Sequence, residues 1–165
     1  MDAGSELRHL IWDLMLTADL NGRYYGYLAT RYRSADHWAK VFVAITSSTA
    51  VSGWALWGTP GLDWIWKAAS AAATLVAIAL PIFDPANSMK TASRLTGAWY
   101  SILSDYSLLW TQVDEASESL VRKRCQAIMA EERPLAELEA TLPKHRRLIL
   151  HCEAEVRRAR ELPPD

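Results

Sequence analysis

The hydrophobic positions fall into three regimes along the chain. Up to residue 37 they recur at steps of three and four: Leu7, Leu10, Ile11, Leu14, Ala18, Tyr25, Leu28 and Tyr32 form one stripe, which predicts an amphipathic helix. No proline interrupts residues 6–57, so this helix is expected to continue into the second regime, weakened locally by Gly22 and Gly26. From Trp38 to Phe83 the periodicity gives way to almost continuous apolar or small residues. Beyond Pro85 the stripe returns as Leu95, Trp99, Ile102, Tyr106, Leu109, Val113, Ala116 and Leu120, alternating steps of four and three in a near-heptad.

The middle regime is long enough to cross a membrane twice. A hydrocarbon core of roughly 30 Å takes about 20 residues of helix at about 1.5 Å each. Residues 38–57, WAKVFVAITSSTAVSGWALW, supply that length with Lys40 as their only charge, and 64–83, WIWKAASAAATLVAIALPIF, match it with Lys67 one turn inside. A lysine there can bury its stem and send its ammonium to the near interface. The connecting residues 58–63, GTPGLD, hold Gly58, Pro60 and Gly61, which favour chain reversal.

The expected fold is therefore all-α: a two-helix membrane hairpin with long cytoplasmic helical extensions. Residues 1–37 form a cytoplasmic amphipathic helix, 38–57 and 64–83 the two transmembrane helices, and 58–63 an extracytoplasmic turn. A long cytoplasmic helix over 84–133 comes next, and 134–165 carry short helices and a basic tail. The flanks set the orientation. Arg23, Arg31, Arg33 and Lys40 precede the first span, Lys90 and Arg94 follow the second, and the turn has no basic residue, so both termini are expected inside. Four of the eight tryptophans, Trp54, Trp57, Trp64 and Trp66, then lie together at the outer interface as an aromatic belt, with Trp38 at the inner one.

Charge changes the picture by its placement. The net charge of −1 gives no global attraction to nucleic acid, yet 22 uncharged residues separate Lys40 from Asp63 and 16 separate Lys67 from Asp84. Only the last helical pattern, KHRRLILHCEAEVRRAR, is strongly basic, which suits a solvated helix face or contact with anionic lipid. The start, MDAGSELRHLIWDLML, lacks the basic n-region of a cleaved leader. Cys125 and Cys152 have no close Cys or His spacing and read as free thiols in a reducing compartment.

Candidate chemistry is sparse. His9, His37, His145 and His151 belong to no ligand motif, and there is no phosphate loop, dinucleotide fingerprint or nucleophile elbow, so no enzyme activity, cofactor or metal is expected. His9 and Asp13 share a helix face, an arrangement more common in surface ion pairs than in acid-base chemistry. The more informative polar groups lie within the spans. Thr46, Thr49 and Gly53 share one face of the first, and Ser48 and Ser52 lie nearly opposite. Ser70, Ala73, Thr74, Ala77 and Pro81 form a small-residue stripe on the second, with Lys67 at its outer end. Small side chains let helix backbones approach and hydroxyls bond across helices, so these positions suit inter-helix packing or a wet path. A second polar face on the first span must meet another subunit, line a wet path, or be tolerated through back-bonding of its hydroxyls. Two helices enclose no pore, so conduction requires a homo-oligomer. Pro81, Asp84 and Pro85 mark a break or hinge, with Asp84 as N-cap and Pro85 at the first helical position of the next helix.

The pre-membrane segment RYYGYLATRYRSADHW, the small-residue hairpin, the FDP break and the subsequent LTGAWYSILSDYSLLW together resemble the SLATT family, two-transmembrane effector domains of bacterial nucleotide-sensing conflict systems. The resemblance covers most of the chain and rests on architecture and residue class. It implies an inner-membrane effector that assembles and permeabilises the bilayer on a partner's signal. No nucleotide-binding domain is attached, so the sensor would be encoded separately. The other expectation left open is a membrane anchor or scaffold whose cytoplasmic helices recruit a partner protein.

Overall fold

The computed structural model describes residues 3–52, 68, 71–76, 78–79 and 84–161, with backbone alone for Ala3 and for residues 46–52. Among the described residues the structure is helical, without strands. Four helices have described bounds: α1 (Ala3–Ser52), α2 (Pro85–Gln112), α3 (Glu118–Ala140) and α4 (Arg146–Ala159). Residues 71–76 and 78–79 are also helical. The chain divides into two compact units, one of Met1–Ala29 with Lys90–Asp165 and the other Thr30–Met89.

The first unit is built on an antiparallel seam between α1 and α2. Trp12 meets Trp110 with ring centroids 5.3 Å apart, the Ser107 hydroxyl lies 3.6 Å from the Met15 sulfur, and Arg8 pairs with Asp114 and lies over the Trp110 ring. Further along, a Cβ placed on Gly22 would lie 3.2 Å from the Tyr100 ring, and one on Gly26 would lie 3.7 Å from Thr96. Each step forward along α1 is matched by the same step back along α2, which is the pairing their two stripes require. On α2 the buried residues Ala92, Leu95, Trp99, Ile102, Tyr106 and Leu109 alternate steps of three and four, so one continuous face is withdrawn from water. Full burial of each large member stabilises by about 1.5–3 kcal/mol.

On α1, Leu7, Ile11, Ala18, Tyr25 and Leu28 of the expected stripe are buried, but Leu10 is 44% exposed and Met15 and Tyr24 take core places instead. Gly22 is buried too, and its missing side chain makes room for Tyr100, so this glycine is a packing choice rather than a weak point.

The helix expected over 84–133 is instead two helices. α2 stops at Gln112, and Val113, Glu115 and Ala116 donate backbone bonds to Trp110 and Gln112 in a turn. Asp114 and Glu115 would put two negative charges on the negative end of α2, while Ser117 in extended conformation starts α3 with Glu118 in its first turn, where a negative charge is favourable. The stop expected near Arg133–Pro134 is also absent, because α3 runs through Pro134 to Ala140. Pro134 and Ala130 are not buried, so the carbonyl that a proline leaves unpaired four residues upstream can be hydrated. The tail then forms α4 alone, over Arg146–Ala159.

α3 packs antiparallel to α2, with Trp99 Nε1–H donating to Glu139 at 2.9 Å, the Tyr106 hydroxyl donating to Glu132 at 2.7 Å, and Arg124 donating to Gln112. α4 is held on α1 by Tyr24, whose hydroxyl donates to the Pro143 carbonyl at 3.2 Å and accepts from the His145 backbone N–H at 3.1 Å.

The second unit has a different character. Among its described residues none is buried, and Trp38, Ile45, Leu75 and Ile78 are 68%, 58%, 69% and 57% exposed. Among the described residues no helix is long and apolar enough to cross a membrane. Both spans expected from the sequence, 38–57 and 64–83, extend beyond the described residues, and the turn 58–63 lies wholly outside them.

Two glycines of the first unit should respond in opposite directions to substitution. Gly22→Leu should overpack the Tyr100 contact and lower stability by about 1–3 kcal/mol. A Cβ added at Gly97 would meet nothing within 4 Å, and the residue sits mid-helix, so Gly97→Ala should raise stability by about 0.5–1 kcal/mol. Thermal melting of the purified protein compares them.

Candidate functional site

Of the candidate pore and belt residues in the expected spans, the structure describes a minority. Thr46 and Thr49 lie on the α1 backbone, their side chains outside the described residues; Gly53, Lys67, Ser70 and Pro81 lie outside altogether, as do Trp54, Trp57, Trp64 and Trp66. Thr74 is exposed on the helical stretch 71–76, and Trp38 is exposed with its ring 6.0 Å from that of His37, edge to face.

The start of α2 is described, whereas Pro81 of the expected hinge lies outside the described residues. The Asp84 carboxylate accepts the Asn87 backbone N–H at 3.1 Å, its carbonyl accepts from Ser88 at 3.1 Å, and Pro85 opens the helix. Asp84 adopts a φ of 34°, a left-handed conformation that aspartate tolerates better than most residues, and the same residue caps α2.

Spacing along the chain offers little notice of a second constellation, where α1 receives α4. Among the described residues of the first unit, Asp19 is a charged side chain only 3% exposed. Arg23 donates to it through Nε at 2.7 Å, and Arg160 lies 3.5 Å away. Glu155 accepts from the Tyr27 hydroxyl at 2.7 Å, lies 4.0 Å from Arg23 and 3.4 Å from His151, and the His151 ring stands edge-on to Tyr27 at 5.6 Å. Its hydrogen bond to Asp19 raises the Arg23 pKa against the opposing effect of burial. The network joins two helices through charge as well as packing, and a buried carboxylate stripped of its guanidinium partners would be strongly destabilising. Asp19 and Arg23 stand four apart on a helix, a pattern visible in the sequence, but only the adjoining apolar stripe hints that this pair is buried. His9 and Asp13, the pair considered from the sequence, are both exposed and make no ion pair with each other among the described residues.

The phenols of Tyr25 and Tyr106 and both thiols are held protonated. Burial, followed by the neighbouring Glu139 charge, raises the Tyr25 pKa, and burial with the bond to Glu132 raises that of Tyr106. Burial likewise pushes up both free thiols, Cys125 and Cys152. These shifts run opposite to those of an activated nucleophile. Among the described residues no three His, Cys, Asp or Glu side chains gather as they would around a metal ion.

The chain matches no protein-family model, no curated protein and no solved structure.

The cap and the thiols can each be tested. Asp84→Ala removes the cap and places a less tolerant residue at positive φ; the loss of about 0.5–2 kcal/mol should appear as faster amide exchange at residues 85–88, while Asp84→Asn stays close to the parent. A thiol whose pKa is raised in the folded state contributes stability that is complete below its unfolded value, near 9.0, and is lost as pH rises through the folded value. Melting temperature should therefore fall as pH rises above 9.0, and fall less in the Cys125→Ala, Cys152→Ala double variant, in which these titrations no longer contribute.

Proposed function

We propose that this chain is an integral membrane protein whose hairpin, 38–57 and 64–83, assembles in several copies to breach the bilayer, as a pore-forming or membrane-disrupting effector of bacterial defence. The observation that carries the reading is the contrast between the units. Apolar residues of the first unit are buried at helical spacing, whereas the described part of Thr30–Met89 buries none and exposes Trp38, Ile45, Leu75 and Ile78. Leaving such side chains in water forgoes about 1.5–3 kcal/mol each, and surrounding lipid removes that cost. The same stretch carries the two charge-poor runs, with basic flanks on one side and tryptophans on the other.

The basic flanks favour an inner-membrane topology with both termini cytoplasmic. Copies of the hairpin would meet through the small-residue faces, with Thr46, Thr49, Gly53, Ser70 and Thr74 along the shared path and Lys67 at its outer mouth. The resemblance to the SLATT family supports the effector reading and suggests a separately encoded sensor protein as the trigger. The cytoplasmic helices would receive its signal, and Pro81, Asp84 and Pro85 would pass it to the second span.

The anchor or scaffold reading has one observation of its own. Between α2 and α3 lies a cleft of about 330 Å³ lined by Leu108, Leu109, Gln112, Arg124, Ile128 and neighbouring residues, with Leu108 57% exposed. A recruited partner could seat there.

Reconstitution separates the two. Proteoliposomes loaded with a self-quenched dye should leak when the chain is present, and the Thr46→Leu, Ser70→Leu variant should return leakage to that of empty liposomes while remaining oligomeric. A stable oligomer that never releases ions or dye rules the pore out. Charge reversals at residues 114–124 that abolish function without altering leakage favour the scaffold instead.

A further inference from the structure

Two faces of the first unit are opposite in charge, and the fold leaves the charges of each unpaired. The first is the cleft of about 330 Å³ between α2 and α3, floored by Leu108, Leu109, Ala127 and Ile128. The Tyr106–Glu132 bond brings the preceding residues, Asp105 and Glu131, to one end of it, and the bond between Arg124 and Gln112 closes the other. Neither Asp105 nor Glu131 makes an ion pair among the described residues, and Leu108, between the two ends, is 57% exposed. The result is an apolar slot with an acidic end.

The second face belongs to α4. Its inner side is held on α1 by buried Cys152 and Val156 and by the bond between Tyr27 and Glu155. On its outer side Arg147, Leu150, Ala154 and Arg158 recur at steps of three and four, and all are exposed, Leu150 at 54%. Neither arginine makes an ion pair among the described residues. The first turn of α4 holds Arg146 and Arg147 and no acid, although the helix dipole favours an acid there, so helix stability does not account for these cations.

The two faces match in spacing as well as in sign. Arg147 and Leu150 are three residues apart on α4, as are Asp105 and Leu108 on α2, and either step covers about 4.5 Å of helix. A helix laid in the cleft with Arg147 between Asp105 and Glu131 therefore sets Leu150 on Leu108. Arg158, about 16 Å from Arg147 along the same helix, then reaches the turn after α2, where Glu115 is exposed. Because each α4 keeps its inner side on its own α1, the helix that fills a cleft belongs to another copy.

We propose that α4 of one copy docks in the α2–α3 cleft of the next. Docking withdraws both leucines from water and pairs charges that a single chain leaves alone. Two different faces meet, so every copy added retains a free cleft or a free α4, and copies join in one sense until a ring closes or a filament grows. The contact lies within the first unit and stands apart from whether the assembly breaches a bilayer, which liposome leakage decides.

Cross-linking of two variants of the full chain, Leu108→Cys and Leu150→Cys, tests the contact, since both native thiols are buried. Mixed and treated with a short bis-maleimide, they should give a joined pair; alone, neither should. Adding Asp105→Lys, Glu131→Lys to the first variant should lower the yield about ten-fold, and so should adding Arg147→Glu to the second. Mixing the two charge-reversed chains should restore the yield, which misfolded variants would not do. High salt should weaken the parent pair.

An assembled chain that never joins these two positions overturns the inference and leaves the cleft to a recruited partner. Equal cross-linking of either variant with itself overturns it too, because the contact is then two-fold. A chain that stays monomeric, a yield indifferent to charge reversal, or one that mixing does not restore has the same consequence.

Discussion

The antiparallel seam between α1 and α2 is the constraint on which the first unit rests. At Gly22 an absent side chain lets the Tyr100 ring lie against the helix, and the far end of the seam is held by Trp12 with Trp110 and by Arg8 with Asp114. Once this register is set, the other contacts have defined places. α2 turns Trp99 and Tyr106 toward Glu139 and Glu132 of α3, and α1 presents Asp19, Arg23, Tyr24 and Tyr27 to α4 and the segment leading into it. A slip of one residue would place Tyr100 against a Cβ and separate every one of these partners.

The polar side chains in this core act chiefly as alignment. Trp99 and Tyr106 each bury a large apolar body and satisfy a single polar atom with a carboxylate, so burial and orientation come from the same residue. Asp19 works differently, since its burial is tolerable only with both guanidinium groups in place. The fit of α4 is consequently selective. Apolar packing by Cys152 and Val156 alone would accept neighbouring registers, and the ionic partners do not.

Much of the helical architecture was legible because the α2 stripe is regular and the α1 stripe nearly so. Leu95, Trp99, Ile102, Tyr106 and Leu109 could be assigned from spacing alone, and the Asp84–Pro85 start had a local chemical signature. The turn after Gln112 was not legible from hydrophobic spacing because Val113, Ala116 and Leu120 continue the period across it; only the acids at 114 and 115 oppose continuation. Pro134 misled in the other direction, since its effect depends on whether the freed carbonyl reaches water, a tertiary fact. The Asp19 network is obscured because burial of an ion pair is decided by a helix more than a hundred residues away, whereas the candidate positions within the expected spans rest on local composition and lie largely outside the described residues.

The long separation along the chain between the two halves of the seam also bears on synthesis. Tyr24 finds its partner at Pro143 across 119 positions, and α2 itself leaves the ribosome only after residues 53–84. At about 5–20 residues per second, the apolar stripe of α1 remains uncovered for several seconds during translation. The nascent N-terminal helix thus waits with its apolar stripe exposed, and α4 is the last element in the chain to reach it.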